Sequence, residues 1–290
     1  MRCQFNKQLN NQLNKFAVVA SAGLWACSTA FAIEVMPSFA GAPGGGWNTD
    51  RFDAAVFTDI GTYQSRNNVL EIGITAAENV ANRGNASGQG YLKGSFYNTQ
   101  GKLRAITGGA GDTLSADLYI PAAWSNASNG NVRTDMWGIM VDSAAPTPAP
   151  PATRTNDYPI IGFTNYDGAA RLRAYDSNDG IWTNFSAPIN YDAWNALSIK
   201  FTGTSFEYSV NGSLVYTDTD LSTAAPSKFG YTIMQAYNFG DPSLPSVTST
   251  ADYSVHWSNV SAVPEPEAYV LALSGLMMVG VFGGARRRKV

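Results

Sequence analysis

The sequence predicts an all-β sandwich, and three observations carry the prediction. Glycine is abundant (28 of 290 residues), aromatic residues make up 12% and charged residues only 14%, which suits pleated sheets joined by tight turns. Apolar and polar residues alternate in several short segments, as they do in half-buried strands. Asp167-Gly168 and Asn211-Gly212 are typical of hairpin turns. About ten short strands with no helical pattern between them indicate a sandwich or jelly roll.

The clearest strand pattern lies between residues 194 and 217. Trp194–Phe201 alternates strictly, and Ser205–Val210 and Ser213–Thr217 form a hairpin. Further strands are predicted at 68–75, 114–120, 136–141, 159–164, 169–175, 229–236 and 253–260. The hairpin and the last segment resemble those of concanavalin-like and laminin-G-like jelly rolls. The resemblance, over about residues 45–260, implies that fold but no activity, because the fold hosts lectins, glycan-binding modules, glycosidases and adhesion domains.

The first 32 residues have the three parts of a secretory signal peptide. Basic residues precede a short apolar run at 16–25, and Ala30 and Ala32 supply the small residues of a cleavage site. A lipoprotein signal with Cys27 as the lipidated residue is the second-ranked alternative. We therefore expect a signal helix at 1–32 and an exported protein whose domain begins at residue 33.

The C-terminus combines a short motif, an apolar segment and a basic cluster. Pro264-Glu265-Pro266 precedes an apolar run at 268–285, and Arg286-Arg287-Arg288-Lys289 follows it. As a helix, the apolar run spans about 27 Å, near the thickness of a bilayer core. The basic cluster should stay in the cytoplasm. A plain membrane anchor is the simpler interpretation.

This combination, over residues 262–290, resembles the PEP-CTERM sorting signal of Gram-negative bacteria. The resemblance implies that an exosortase is the processing partner and cuts near Pro264, so that the protein is its substrate. It also implies a tethered intermediate in the inner membrane, then the cell surface or the extracellular matrix of exopolysaccharide-producing, biofilm-forming bacteria. The predicted organisation is signal peptide 1–32, sandwich domain 33–262, and sorting signal 263–290 with a transmembrane helix at 268–285.

The central domain is acidic and free of cysteine. Residues 33–262 hold 20 of the 22 acidic and 12 of the 19 basic residues, a net charge of −8. An acidic domain repels phosphate backbones, so we expect no nucleic-acid partner. Both cysteines lie in the leader, which leaves no disulfide for the mature domain. The Pro-rich stretch 144–152 is predicted to be a surface loop, with a domain linker as the alternative.

No catalytic motif stands out in the domain. Jelly-roll glycosidases carry paired carboxylates on one strand, such as Glu-x-Asp-x-x-Glu, and none of the four glutamates of the domain lies in such a pattern: Glu34, Glu71, Glu78 and Glu207. His256, the only histidine, is expected on a strand face, and no Gly-x-Ser-x-Gly elbow occurs. The sequence therefore predicts that the protein is not an enzyme.

Weak binding signals remain, with no cofactor predicted apart from calcium. Asp176, Asp179, Asp218 and Asp220 lie in turns and offer oxygen ligands for calcium, although such turns are common for conformational reasons alone. Trp124 and Trp182 lie near turns and are candidates for stacking on sugar rings, whereas Trp194 and Trp257 are expected in the core.

The resulting hypothesis is an exported, exosortase-sorted surface or matrix protein with a non-catalytic, glycan-binding β-sandwich. Exopolysaccharide or another glycan is the expected ligand. The alternative is a structural or adhesion protein of the matrix without a small-molecule site, and a glycosidase ranks last.

Overall fold

The computed structural model describes the central part of the chain in seven pieces: residue 39 and residues 41–50, 52–78, 99–141, 157–221, 228–239 and 252–264. They form two antiparallel sheets of seven strands each, the predicted all-β, jelly-roll-like sandwich. No helix within these pieces is long and apolar enough to cross a membrane. The predicted signal helix at 1–32 and the transmembrane helix at 268–285 lie outside the described residues.

The first sheet has the order β1-β4-β13-β6-β7-β8-β9. Its strands are β1 (Asn48–Thr49), β4 (Thr99–Gly108), β6 (Arg133–Val141), β7 (Ile160–Thr164), β8 (Arg171–Asp176), β9 (Ile181–Asn184) and β13 (Lys228–Tyr237). Alternating residues of each strand face the core and the outside. β6 and β7 are neighbours, so the Pro-rich stretch connects two strands of one sheet.

The second sheet has the order β12-β11-β10-β5-β14-β3-β2. Its strands are β2 (Val56–Asp59), β3 (Leu70–Ile74), β5 (Asp112–Ile120), β10 (Ala193–Phe201), β11 (Phe206–Val210), β12 (Ser213–Asp218) and β14 (Tyr253–Pro264). The predicted turn between β11 and β12 is confirmed, because Asn211 and Gly212 have positive φ angles of 50° and 79°. Such angles suit the right-handed twist of a two-residue hairpin.

The main core fills the space between the sheets. It contains large side chains from both sheets, among them Phe163 from the first and Trp257 from the second, each fully buried. The indole nitrogen of Trp257 donates a hydrogen bond to Thr134 Oγ1 at 3.0 Å, as a buried indole requires. Trp257 is thus the core residue that its strand pattern predicts.

β14 carries the chain to the edge of the predicted sorting motif. The strand ends at Pro264, which is paired with Asp112 of β5, two residues beyond the predicted domain boundary at 262. A proline at the end of a strand removes only one ladder hydrogen bond. Glu265, Pro266 and the basic cluster at 286–289 lie outside the described residues.

Candidate functional site

The outward face of the first sheet carries a polar row that crosses five adjacent strands. Its members are paired in register from β13 to β9 and comprise Gln235, Asp135, Gly162, Arg173 and Asn184. They face away from the core, because their neighbours on each strand, such as Met136 and Ile161, are core residues. Buried polar residues on an outward face are uncommon and invite a functional explanation.

Asp135 lies at the centre of the row and is only 1% exposed. Its Oδ2 accepts hydrogen bonds from Arg133 Nε at 2.8 Å and from Gln235 Nε2 at 3.4 Å. Its Oδ1 is buried without a hydrogen-bond partner. That oxygen points over Gly162, where an added Cβ would lie 2.3 Å away. The absence of a side chain at Gly162 therefore leaves room for the carboxylate of Asp135.

Arg173 lies on the other side of Gly162 and is 8% exposed. Its Nε is buried without a hydrogen-bond partner, and within the described parts of the chain it forms no ion pair. Burial lowers the pKa of Arg173 to about 9, and the charges of Arg133 and Arg171 act in the same direction while Asp135 opposes them. The guanidinium remains protonated at neutral pH, so the row contains an uncompensated buried charge.

An aromatic ladder runs beside the polar row towards the edge of the sheet. Successive ring centroids are 5.8 Å apart from Trp137 to Tyr158, 5.9 Å from Tyr158 to Tyr175 and 4.9 Å from Tyr175 to Trp182. Burial raises the pKa of Tyr158 to about 12. The ladder changes from a buried ring at Trp137 to a half-buried ring at Trp182.

Two arginines hold the outer end of this ladder. The guanidinium carbon of Arg173 lies 3.7 Å from the ring centroid of Trp182, and that of Arg133 lies 4.9 Å from it. Arg133 also lies 4.8 Å from the ring centroid of Tyr237. Such contacts are attractive because the ring face is electron-rich. Two aromatic rings and two guanidiniums thus form one flat, partly exposed patch.

A tyrosine from the opposite sheet positions this patch from below. The hydroxyl of Tyr253 on β14 lies 3.1 Å from the carbonyl oxygen of Arg133 and accepts the backbone N–H of Tyr237 at 3.1 Å. Burial raises the pKa of Tyr253 far above its ordinary value, so it stays a neutral donor. The bonds fix the ends of β6 and β13, where Arg133 and Tyr237 point outward.

The outward face of the second sheet has an aromatic row of its own. Trp194, Tyr119, His256 and Glu71 are paired across four strands. Tyr63, from the loop between β2 and β3, stacks on His256 with ring centroids 3.9 Å apart and an interplanar angle of 9°. Burial lowers the pKa of His256, with Glu71 opposing. The histidine lies on a strand face, as predicted.

The two predicted sugar-stacking tryptophans fall in different places. Trp182 lies on the outward face, in the patch with Arg133 and Arg173. Trp124 is packed in the core, where it stacks on Phe163 at 5.6 Å, so the structure removes it from the candidate site. Trp194, predicted to be in the core, instead lies on the outward face of the second sheet, because the polar Asn195 takes the inward position.

The predicted calcium ligands lie in two turns that the fold brings together. Asp176 Oδ1 accepts the backbone N–H groups of Asn178 and Asp179, and Asp218 Oδ1 accepts that of Asp220. Burial raises the pKa of Asp218 to about 6, and Asp176 adds to the effect. Among the residues that the structure describes, no group of three or more Asp, Glu, His or Cys side chains could hold a metal ion. The carboxylates serve as turn acceptors there.

The sequence analysis did not identify Asp135, Arg173 or Tyr237 as site residues. The signal was present in the alternation of β6, β8 and β13. Each strand places polar and aromatic residues at alternate, outward positions, for example Asp135 two residues before Trp137. Recognising it required knowing which strands are adjacent in the sheet.

Comparisons with known proteins concern the fold. No protein-family profile and no curated sequence matches the chain. The carbohydrate-binding module CBM66 from Bacillus subtilis is 13% identical, with a TM-score of 0.38; the match covers 75% of this chain and 95% of that one. A Bacillus licheniformis β-glucanase is 12% identical, with a TM-score of 0.43 and coverage of 80% and 98%. A glycoside hydrolase family 16 endo-glucanase from Bacteroides ovatus is 13% identical, with a TM-score of 0.43 and coverage of 78% and 99%.

The prediction that the protein is not an enzyme is wrong, because it excluded hydrolase activity. Among the solved structures that the chain resembles are the β-glucanase and the endo-glucanase. At these identities the likeness concerns the fold alone, and this fold carries hydrolases as well as binding modules. The absence of a familiar carboxylate motif in one sequence is too little to exclude hydrolysis.

Proposed function

We propose that the outward face of the first sheet binds a glycan. One observation carries the proposal: two buried hydrogen-bonding atoms, Asp135 Oδ1 and Arg173 Nε, have no partner and lie in the same row beside the half-buried ring of Trp182. Sugars present hydroxyl groups at their edges and an apolar patch of C–H groups on their faces. A site with convergent polar groups and a flat aromatic surface is complementary to both.

The unpaired atoms favour a ligand over a purely structural role. A buried polar group without a partner costs about 1–3 kcal/mol, and folded proteins seldom tolerate two in one row. A carboxylate oxygen accepts from a sugar hydroxyl, and a guanidinium N–H donates to another. Gly162, which lies between them in the row, contributes no side chain. The row therefore offers both an acceptor and a donor to a bound saccharide.

The test is binding of the purified full chain to a panel of neutral and acidic polysaccharides by affinity gel electrophoresis. We expect retention by at least one polymer, weakened about tenfold or more by Trp182→Ala. Trp194→Ala is the matched control, because it removes a partly exposed tryptophan from the opposite face. Reducing-sugar release is measured with the same polymers, so that hydrolysis is detected beside binding.

Two results contradict the proposal. Retention by no polymer favours the structural or adhesion role without a small-molecule site. Equal loss of retention in Trp182→Ala and Trp194→Ala would place the binding elsewhere on the domain.

We further propose that the protein is exported and sorted by an exosortase. The arrangement at the C-terminus supports this: β14 ends at Pro264, so Glu265-Pro266 directly follows the last strand of the sandwich. Pro264 is the last paired residue of β14, and Pro266, which has no backbone N–H, opposes continuation into a helix or a strand, which favours a peptide accessible to a protease. The apolar run and the basic cluster then hold the chain in the inner membrane until it is cut.

Mass spectrometry of the surface-exposed protein tests the sorting proposal. The expected product begins after Ala32 and ends near Pro264. Surface protein that retains Arg286–Val290 contradicts exosortase cleavage, and acylated Cys27 at the N-terminus contradicts ordinary signal cleavage. Replacing Pro264-Glu265-Pro266 with three alanines should abolish the cut while leaving export intact.

A further inference from the structure

We infer, on the basis of the proposed function, that the outward face of the first sheet selects anionic glycans, sugar polymers that carry carboxylate or sulfate groups. The described strands present three arginines on this face, Arg133, Arg171 and Arg173, against one carboxylate, Asp135. The local balance is basic although the domain has a net charge of −8 over residues 33–262. A basic patch in an acidic domain attracts anionic groups at short range, because salt screens the more distant acidic residues.

The three arginines are not equally satisfied. Arg133 pairs with Asp135 at 2.8 Å, and Arg171 donates to Asn184 Oδ1 at 3.0 Å and to the carbonyl oxygen of Ala169 at 2.9 Å. Arg173, the most buried of the three, has no such partner for its Nε. Asp135 therefore compensates the charge of Arg173 only in part, and the Nε of Arg173 stays unpaired in the free protein.

An anionic group is the ligand that removes this imbalance. Burial without a counter-ion disfavours the charged form, which is why the pKa of Arg173 is lowered. A carboxylate or sulfate at this position would accept from Nε in a charge-assisted hydrogen bond, stronger than a bond to a neutral hydroxyl. A neutral sugar would leave the charge uncompensated.

The ring of Trp182 makes the arrangement suitable for a sugar rather than a free anion. The Arg173 guanidinium lies 3.7 Å from the ring centroid, so its planar group is held in one orientation against the ring. Trp182 itself is half-buried, which leaves part of the indole accessible to a sugar face. The charged group of an acidic sugar and its apolar face are then recognised side by side.

The experiment compares polymers that differ only in charge. Affinities of the full chain are measured for polygalacturonate against its methyl ester, and for dextran sulfate against dextran. We expect the charged member of at least one pair to bind about ten- to a hundredfold more tightly. The first pair tests carboxylate and the second tests sulfate. Affinity should fall as sodium chloride is raised from 50 to 500 mM, because salt screens the attraction.

Arg173→Met identifies the residue responsible. Methionine keeps the packing against Trp182 and removes the charge, so the affinity for the charged polymer should fall by a larger factor than the affinity for its neutral counterpart, and the preference should disappear. Arg66→Met is the matched control: Arg66 also lies over a tryptophan, Trp194, at 5.9 Å, but on the opposite face. The salt titration of the wild-type protein remains informative if Arg173→Met fails to fold.

The possible failures are distinguishable. Equal affinity for charged and neutral polymers overturns the anionic preference and leaves glycan binding intact. A preference that survives in Arg173→Met, or that is lost equally in Arg66→Met, overturns the assignment to this face. Equally tight binding of single-stranded DNA overturns the selectivity for glycans. Binding to none of these polymers contradicts the proposed function itself.

Discussion

The outward faces of the two sheets carry similar side chains but differ in how their arginines are paired. Each face carries aromatic side chains on adjacent strands. On each face an arginine lies over a tryptophan: Arg173 over Trp182 on the first sheet, and Arg66 over Trp194 on the second. On the second face the arginine forms an ion pair with Asp117 at 3.2 Å. On the first face the arginine has an unpaired Nε.

The difference arises from the loop between β2 and β3, which folds back over the second face. Trp194 Nε1 donates to the carbonyl oxygen of Gln64 at 3.0 Å, and Ser258 Oγ donates to that of Asn67 at 3.3 Å. Tyr63 covers the ring of His256. The second face thus satisfies its polar groups within the chain, whereas the first leaves an acceptor and a donor unused.

Replacing one glycine by alanine on each face should give the largest difference in unfolding free energy between the two faces. Gly162→Ala places a Cβ 2.3 Å from both Asp135 Oδ1 and the carbonyl oxygen of Thr134, and a backbone atom cannot move aside. We expect a loss of about 3 kcal/mol or more in the free energy of unfolding, measured with urea.

Gly73→Ala is the counterpart on the second face. Its Cβ would lie 2.9 Å from Cβ and Cγ2 of Val56 and 3.5 Å from the backbone nitrogen of Val56, and Val56 lies on β2, an edge strand that can shift slightly. We expect a loss of about 1 kcal/mol. Equal losses in the two variants would show that the space beside Asp135 is not constrained by the backbone.

Removing one aromatic ring from each face should separate stability from binding. Tyr63→Ala removes the stack on His256 and an edge contact with Tyr119 at 5.4 Å, and should cost about 1–2 kcal/mol of unfolding free energy. Trp182→Ala should cost less, because the ring is at the sheet edge, yet it should weaken glycan retention. A larger stability loss in Trp182→Ala would argue that its role is structural.

Replacing Arg173 or Arg66 by methionine should change the free energy of unfolding in opposite directions. Arg173→Met replaces an uncompensated buried charge by an apolar side chain, and should leave the unfolding free energy unchanged or raise it by up to about 1 kcal/mol. Arg66→Met breaks a partly exposed ion pair and should lower it by less than about 1 kcal/mol. Urea unfolding of both variants measures the difference. A strong destabilisation by Arg173→Met would mean that its charge is compensated within the folded chain.

The sequence was sufficient for most of the strands and insufficient for the site. Alternation located β10 to β12 within a residue at each end, because one face of each is buried and the period of two is preserved. It missed β4, where Thr99–Gly108 mixes polar residues into both faces, and the short β9. Strands of this kind are defined by their neighbours and not by their own pattern.

The candidate site depends on pairings that no local pattern contains. Asp135 and Arg173 are 38 positions apart in the sequence and become neighbours of Gly162 only through the β6-β7-β8 register. Trp182 could be suggested from its position near a turn, but its arginine partners could not. Trp124 was predicted as an accessible stacking residue and lies in the core, whereas Trp194 was predicted in the core and lies on the outward face. A tryptophan suits either side of a strand, and the contacts that decide its location are tertiary.

The smallest expected effect is the pH dependence that the second face gives to stability. Burial beneath Tyr63 lowers the pKa of His256 in the folded state, and Glu71, its cross-strand partner, only partly offsets this. Between the folded value and the unfolded value of about 6.5 the unfolded chain binds more protons, so stability rises with pH and is lost as pH falls through that window. His256→Gln should remove this contribution, as measured by urea unfolding at pH 5 and pH 7.5.

The contribution of Asp218 to the pH dependence of stability must be distinguished from that of His256, because the two have opposite signs. Its folded pKa of about 6 is raised above the ordinary 3.8, so the folded chain binds more protons between these values and stability falls as pH rises through them. The contribution of Asp218 is the same in wild type and His256→Gln and cancels in their difference. A difference between the two proteins that does not change with pH would show that Tyr63 covers His256 without shifting its protonation.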